Sequence, residues 1–277
     1  MPLFFLVGGV AHAHTLDSAR RRGGTSTGRY AAFVISRATR LLRPTVAFLA
    51  AWVVVGIIAD RAGWTRGPNG PLLVMALVVV PQLLWFVGIY LGVAGCAPSF
   101  YRLHQRHGWW VVVVVCLLAG LADLARFAGD WQVIGNLNFA LVWLALHQLG
   151  FFWRDERLAR PQGLILLGVG AAGLALAITV GPYPRSMVGL PGDAVSNMAP
   201  PTVALLCQGL ALIGLVVLAR PLLARFLERP RPWTAVVVAG RFAMTAFLWH
   251  LTALFVVIVV ARALHLDQPP LGSVTWW

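Results

Sequence analysis

Apolar runs of membrane-spanning length recur along this chain, and they limit its fold more than any short motif does. They fall near residues 41–59, 71–96, 133–153, 163–181, 202–219 and 242–261, with a shorter run, 109–122, that continues through Asp123 to Phe127. Each approaches the length of ~20 residues that an α-helix needs to cross hydrocarbon. Hydrocarbon offers no water to backbone N–H and C=O groups, so only helices or closed barrels can span it. These runs are long and do not alternate as barrel strands do. The expected fold is therefore all-α: a polytopic integral membrane protein with about seven full transmembrane helices. Before them stands Met1–His12 (MPLFFLVGGVAH), only about half the necessary length, which reads as the end of a helix, an N-terminal half-span. No internal repeat and no soluble domain interrupt the pattern, so residues 1–277 are expected to form a single transmembrane domain.

Composition sharpens this reading. Hydrophobic residues make up 59% of the chain and charged residues only 11%, well below the ~25% usual for soluble proteins. All 22 basic residues are arginines, against nine acids, for a net charge of +13. In a soluble protein such an excess would suggest nucleic acid. Here it lies in short connections between apolar runs, where it sets topology, so no nucleic-acid partner is expected. Seventeen arginines fall in the connection after the half-span and after every second span thereafter, and five in the alternate set. The positive-inside rule puts the first set in the cytoplasm, including residues 13–43, a basic cytoplasmic loop with a GGTSTG centre. Trp64, Trp109, Trp110, Trp131, Trp153, Trp233, Trp276 and Trp277 lie at span ends, as an interfacial aromatic belt requires. Cys96, Cys116 and Cys207 match no metal or redox spacing, and no metal site is expected.

Few polar groups remain inside the spans, and these are the candidate chemistry. Within Asn136–Asp155, one helix would place Asn136, His147 and Arg154 within roughly 20° of one another. An ionisable side chain in a span is a functional candidate, although interhelical packing also uses histidine. His250 lies at a comparable depth in the last span and could line one cavity with His147. Both are candidate catalytic residues, with Arg154 a candidate for substrate binding. Arg37 and Arg40, one helical turn apart, and Arg43 stand at the mouth of the second span, where guanidinium forks can converge on a phosphate. Topology and lipid headgroups are the plainer explanation of those arginines. Asp123 and Arg126 could pair at i, i+3. The outer loop 181–202 is long and rich in proline, with Asp193 and Asn197 as its polar tips, and it could meet an acceptor.

Six segments then occur in an order that is familiar: PLFFLVGG (Pro2–Gly9), SRATRLLRP (Ser36–Pro44), PQLLWFVGIYL (Pro81–Leu91), NFALVWLALHQLGFFWRD (Asn138–Asp155), PYPRSMVGLPGDAVSNMAPPT (Pro182–Thr202) and MTAFLWHLT (Met244–Thr252). Together they resemble the actinobacterial branch of the acyltransferase-3 family of multi-pass membrane acyltransferases. The resemblance implies transfer of an acyl group, often acetyl, from acyl-coenzyme A to a hydroxyl of a glycan, lipid or small molecule. The donor would be a substrate, with no permanently bound cofactor, and the location the cell (plasma) membrane. Arg37 and Arg40 occupy the family's R-x-x-R pair, which fits a grip on the donor phosphates. The family's catalytic Arg and His belong to a helix that precedes the segments matched here, and its Glu after the fourth-helix Trp has no counterpart in Leu84–Leu91. The expectation is that this chain is truncated, and that in-frame DNA upstream of Met1 encodes such a helix within about 20 to 60 codons. Two readings from other classes stand beside this one. A multi-pass transporter would use His147 and His250 as a proton relay, and an inactive membrane partner would bind donor without turnover.

Overall fold

The computed structural model describes residues 1–21, 26–67, 70–82, 84–188, 195–264 and 266. Asp193 of the outer loop lies outside them. The described chain is helical: α1 (Pro2–Arg21), α2 (Ser26–Arg61), α3 (Gly70–Gln82), α4 (Leu84–His107), α5 (Trp109–Gly129), the single turn α6 (Gln132–Gly135), α7 (Asn138–Arg154), α8 (Arg160–Thr179), α9 (Val203–Leu227) and α10 (Pro230–Ala263). Among the described residues there is no strand. Seven helical stretches among the described residues are long and apolar enough to cross a membrane, starting at Thr27, Gly70, Trp109, Gln132, Arg160, Val203 and Pro230. These are the seven runs that hydropathy marks out, in a multi-pass, all-α membrane protein.

Three expectations change. The half-span is not the tail of a helix that stops at His12: α1 continues without a break to Arg21. Within residues 13–43 the described parts are helical, α1 covering their start and α2 running from Ser26 through Pro44, while residues 22–25, in and beside the GGTSTG centre, lie outside the described residues. Long-range contacts explain the extension. Asp17 of α1 pairs with Arg154, and Arg20 donates to Gln105 Oε1 at 2.6 Å, so turns that are not apolar are still held by neighbours. Arg20 and Arg21 also complement the negative end of the helix dipole. The third change is in the stretch from Asn136. The chain turns between Gly135 and Asn138, so Asn136 is exposed before α7 and does not join the face of His147. Asn138 is the buried polar residue at that end.

Two compact units make up the chain: Met1–Ala38 with Gly88–Pro232, and Thr39–Val87 with Trp233–Trp277. In the first, α1 packs along α7, α5 lies against α7, and α8 pairs with α9. Small residues permit these crossings. A Cβ on Gly9 would collide with the His147 carbonyl and one on Gly150 with the Leu6 carbonyl, so α1 and α7 meet backbone to backbone. Gly170 against Ala211 and Gly214 against Gly163 do the same for α8 and α9. Phe5 stacks on Trp143 with ring centroids 4.5 Å apart, and a second cluster joins Ala13, Phe33, Ala97, Tyr101 and Phe151. Gly108, at φ +54°, makes the one-residue junction from α4 to α5, a conformation that a side chain would strain.

The second unit buries Phe48, Trp52, Ala76, Val80, Leu248 and Phe255 from α2, α3 and α10. Trp52 Nε1 donates to Thr252 Oγ1 at 3.2 Å, so the indole N–H is satisfied inside an apolar setting. Outward-facing residues such as Val54, Leu117, Leu121 and Ile165 stay exposed, which suits surfaces that meet lipid tails.

At one end of the first unit Asp123 is a hub. Its Oδ1 accepts from Asn138 Nδ2 at 2.9 Å, and its Oδ2 accepts from the Tyr183 hydroxyl at 2.9 Å and the Val203 backbone N–H at 2.7 Å. These partners replace the expected pairing with Arg126, which lies over the Phe127 ring. A local helix contact is outcompeted because three donors from α7, the outer loop and α9 converge on a carboxylate only 1% exposed. Asn197 in turn ties down the loop, donating to the carbonyls of Pro184 and Ser186 at 2.8 and 2.9 Å and accepting from Thr202 Oγ1 at 2.7 Å.

Candidate functional site

The Gly9–Gly150 crossing brings two histidines together. His12 stands one turn beyond Gly9 on α1, His147 one turn before Gly150 on α7, and both are 0% exposed. His12 Nδ1 and His147 Nε2 are 2.9 Å apart, a hydrogen bond between residues 135 positions apart in sequence. On its other side His12 Nε2 faces the Tyr90 hydroxyl at 3.4 Å. Phe33 meets His12 edge-on and Phe151 meets His147 edge-on, at 5.2 and 5.0 Å between centroids, so the pair is enclosed by aromatic rings.

His147 Nδ1 takes no hydrogen-bond partner among the described residues, and neither do Trp143 Nε1 or the two amide atoms of Gln148. All three side chains are fully buried on α7. Buried polar groups without partners are uncommon, and they concentrate where a site awaits a ligand or water. Three of the dyad's four ring nitrogens thus face protein partners, and His147 Nδ1, buried like the rest, is the one without a partner among the described residues.

Five residues further along α1, about 7.5 Å along its axis, a charged network begins. Asp17 pairs with Arg154 and accepts from the Tyr101 hydroxyl at 2.8 Å. Arg154 also donates to Asp155 Oδ1 at 2.9 Å, and Asp155 Oδ2 lies 2.9 Å from His104 Nε2. Partial burial alone would push the Asp155 carboxyl up, but the hydrogen bonds from Arg154 and His104 outweigh it and hold the group below the ordinary carboxylate range. Thr15 Oγ1 accepts from Arg37, whose guanidinium also lies 5.5 Å from the centre of the Phe33 ring. Arg20 and Gln105 close the set, and Arg220 lies over Trp153 at 5.1 Å. The Arg-bearing ends of α1, α4, α7 and α9 therefore meet at one end of this unit, as the arginine count requires of helices that alternate in direction.

The sequence candidates separate accordingly. His147 sits in the dyad, and Arg154 and Arg37 join the charged network. Arg40 and Arg43 are exposed residues of the second unit. His250 belongs to that unit too; it is exposed, with Nδ1 2.6 Å from the Phe247 carbonyl oxygen. Sequence reasoning missed His12, Tyr90, Asp17, Tyr101, His104 and Asp155. The available signal was the Gly8–Gly9 pair, which marks a close helix approach one turn before His12.

No curated protein and no solved structure matches the chain. The family described as an acyltransferase domain, of the acyltransferase-3 type, matches residues 1–277 from end to end. With that match over its whole length, the chain belongs to the acyltransferase-3 family of membrane acyltransferases.

Proposed function

We propose that the protein is an O-acyltransferase of the plasma membrane that moves an acyl group, acetyl in the simplest case, from acyl-coenzyme A to a hydroxyl of a glycan, lipid or small molecule. The observation that carries this reading is the buried Nδ1 of His147, without a partner among the described residues, beside a hydrogen-bonded Nε2. Neutral imidazole has one N–H and one lone pair. If His147 donates through Nε2 to His12 Nδ1, its own Nδ1 carries the lone pair and His12 carries its proton on Nε2, toward Tyr90. In that tautomer His147 Nδ1 takes the proton of the acceptor hydroxyl while the oxygen attacks the thioester carbonyl. The tetrahedral intermediate collapses, the C–S bond breaks, and the coenzyme A thiolate leaves with the proton that His147 held. His12 and Tyr90 fix the tautomer and can share the charge through the same hydrogen bonds. Arg37, Arg40 and Arg43 supply guanidinium groups for the donor's phosphates, and Arg37 is held beside the network by Thr15.

The test is acetyl-coenzyme A turnover by the purified protein in lipid nanodiscs, read as released thiol and as mass added to hydroxyl-bearing acceptors. We expect His147→Gln to lower turnover by about 10²- to 10⁴-fold with unchanged folded yield. Loss of activity in proportion to loss of folded protein would make His147 a packing residue. Failure of the wild type both to bind coenzyme A and to turn over any acceptor would end the reading.

A further inference from the structure

Beside the charged network, a cleft of about 120 Å³ opens between α1, α2 and α4. Arg20, Arg29 and Arg102 border it, one from each helix, with Tyr30, Tyr101 and Pro98 as walls, and among the described residues no carboxylate lines it. The bonds that hold two of the arginines go to neutral acceptors: Arg20 to the Gln105 amide oxygen, and Arg102 Nε to the Pro98 carbonyl at 3.3 Å. Neither bond neutralises the guanidinium. Arg20 is also fixed over the Tyr101 ring, 5.3 Å from its centre, while Asp17 on the same helix is engaged by Arg154 and the Tyr101 hydroxyl. Tyr30 is anchored through its hydroxyl to the Gly95 carbonyl at 3.1 Å. Three cations thus converge on a walled space from three separate elements, which a basic stripe on one helix would not do.

We propose that this cleft binds a phosphate monoester. The chemistry follows from the lining: guanidinium forks match phosphate oxygens, and three of them border a space that no carboxylate lines among the described residues. Size narrows the ligand. At about 120 Å³ the cleft has room for a phosphate and its ester link, with the rest of a larger ligand outside it. Its place at the Arg-bearing helix ends gives two sources for one chemistry. One is the terminal phosphate of coenzyme A, in which case the site rests on the donor reading above. The other is the headgroup of a phosphatidic acid lipid.

The experiment uses the protein in phosphatidylcholine nanodiscs and compares wild type, Arg29→Gln with Arg102→Gln, Arg20→Gln, and Arg225→Gln as an exposed control on α9. Binding is measured for coenzyme A, for 3′-dephospho-coenzyme A, and for phosphatidic acid added to the discs. Removing one guanidinium from the phosphate should weaken binding by about tenfold or more, so the double variant should lose about 100-fold and Arg225→Gln nothing. A loss for coenzyme A that is absent for the dephospho form assigns the cleft to the donor. A loss for phosphatidic acid, with coenzyme A unaffected or unbound, assigns it to a lipid headgroup, and only coenzyme A that binds none of the proteins removes support from the donor reading. Binding of both ligands equal in wild type and variants, or of neither to the wild type, overturns the cleft. Coenzyme A bound equally by all four proteins would still leave the donor reading standing.

Discussion

Gly150→Ala should be disproportionately harmful for the addition of one methyl group. A Cβ there would lie 2.7 Å from both Gly9 Cα and Val10 N, besides overlapping the Leu6 carbonyl. Carbon contacts settle near 3.5–4.0 Å, so α1 and α7 must part by about 1 Å. All three obstacles are backbone, so no rotamer change can relieve the overlap. The strain belongs at the upper end of overpacking costs, about 3 kcal/mol. Alanine returns about 1 kcal/mol through its better helix propensity, leaving a net loss near 2 kcal/mol by these estimates. The same displacement would stretch the 2.9 Å His12–His147 bond beyond hydrogen-bonding range. Reversible unfolding in mixed detergent micelles reads the first effect, and acyl-transfer turnover the second. Gly168→Ala is the control, since nothing lies within 4 Å of a Cβ there, and it should be neutral or stabilising. Stability of Gly150→Ala equal to that of the Gly168 variant, with full turnover, would refute the backbone contact and the dyad geometry that depends on it.

Further outcomes follow from the hub and the charged network. Asp123→Ala leaves Asn138, Tyr183 and the Val203 N–H without their acceptor; it should cost about 2–5 kcal/mol and expose the 181–202 loop to protease, both measurable in nanodiscs. For Asp155 the sign is fixed by its depressed folded-state pKa. Its contribution is full above the unfolded carboxylate value, near pH 4, and is lost as pH falls through the lower folded value. Wild type should therefore lose stability on acidification below about pH 4 more steeply than Asp155→Asn, and parallel curves would contradict it. Changing Arg37 and Arg40 together to Gln should weaken coenzyme A binding by about 1.5–3 kcal/mol per charge-assisted contact; unchanged affinity would return them to setting topology.

The spans were legible because hydrocarbon imposes one rule on every residue in turn, and a run such as 109–127 obeys it locally. What escaped the sequence depends on partners far away in the chain. Nothing near Asp17 or Arg20 announces that α1 persists to Arg21, since its last turns are held by Arg154 and Gln105. His147 stood out as an ionisable residue in a span. His12 did not, because it closes a run too short to count as one, and its role follows from a crossing set by Gly9 and Gly150. The stripe through Asn136 failed at the turn before α7, where Asn138 is the residue drawn inward, to a carboxylate 15 positions earlier.

The Asp123 hub also bears on how the protein is made. Its carboxylate enters the membrane with α5, yet the Val203 N–H that satisfies it is 80 residues downstream. At about 5–20 residues per second that donor is about 4–16 seconds from being synthesised. Until then an ionisable group in a span must stay near water, neighbouring headgroups or the insertion machinery. Helix α5 is thus a provisional insertion that becomes permanent when α9 arrives, and a ribosome stalled between Asn138 and Val203 should leave α5 the span most easily extracted from the bilayer.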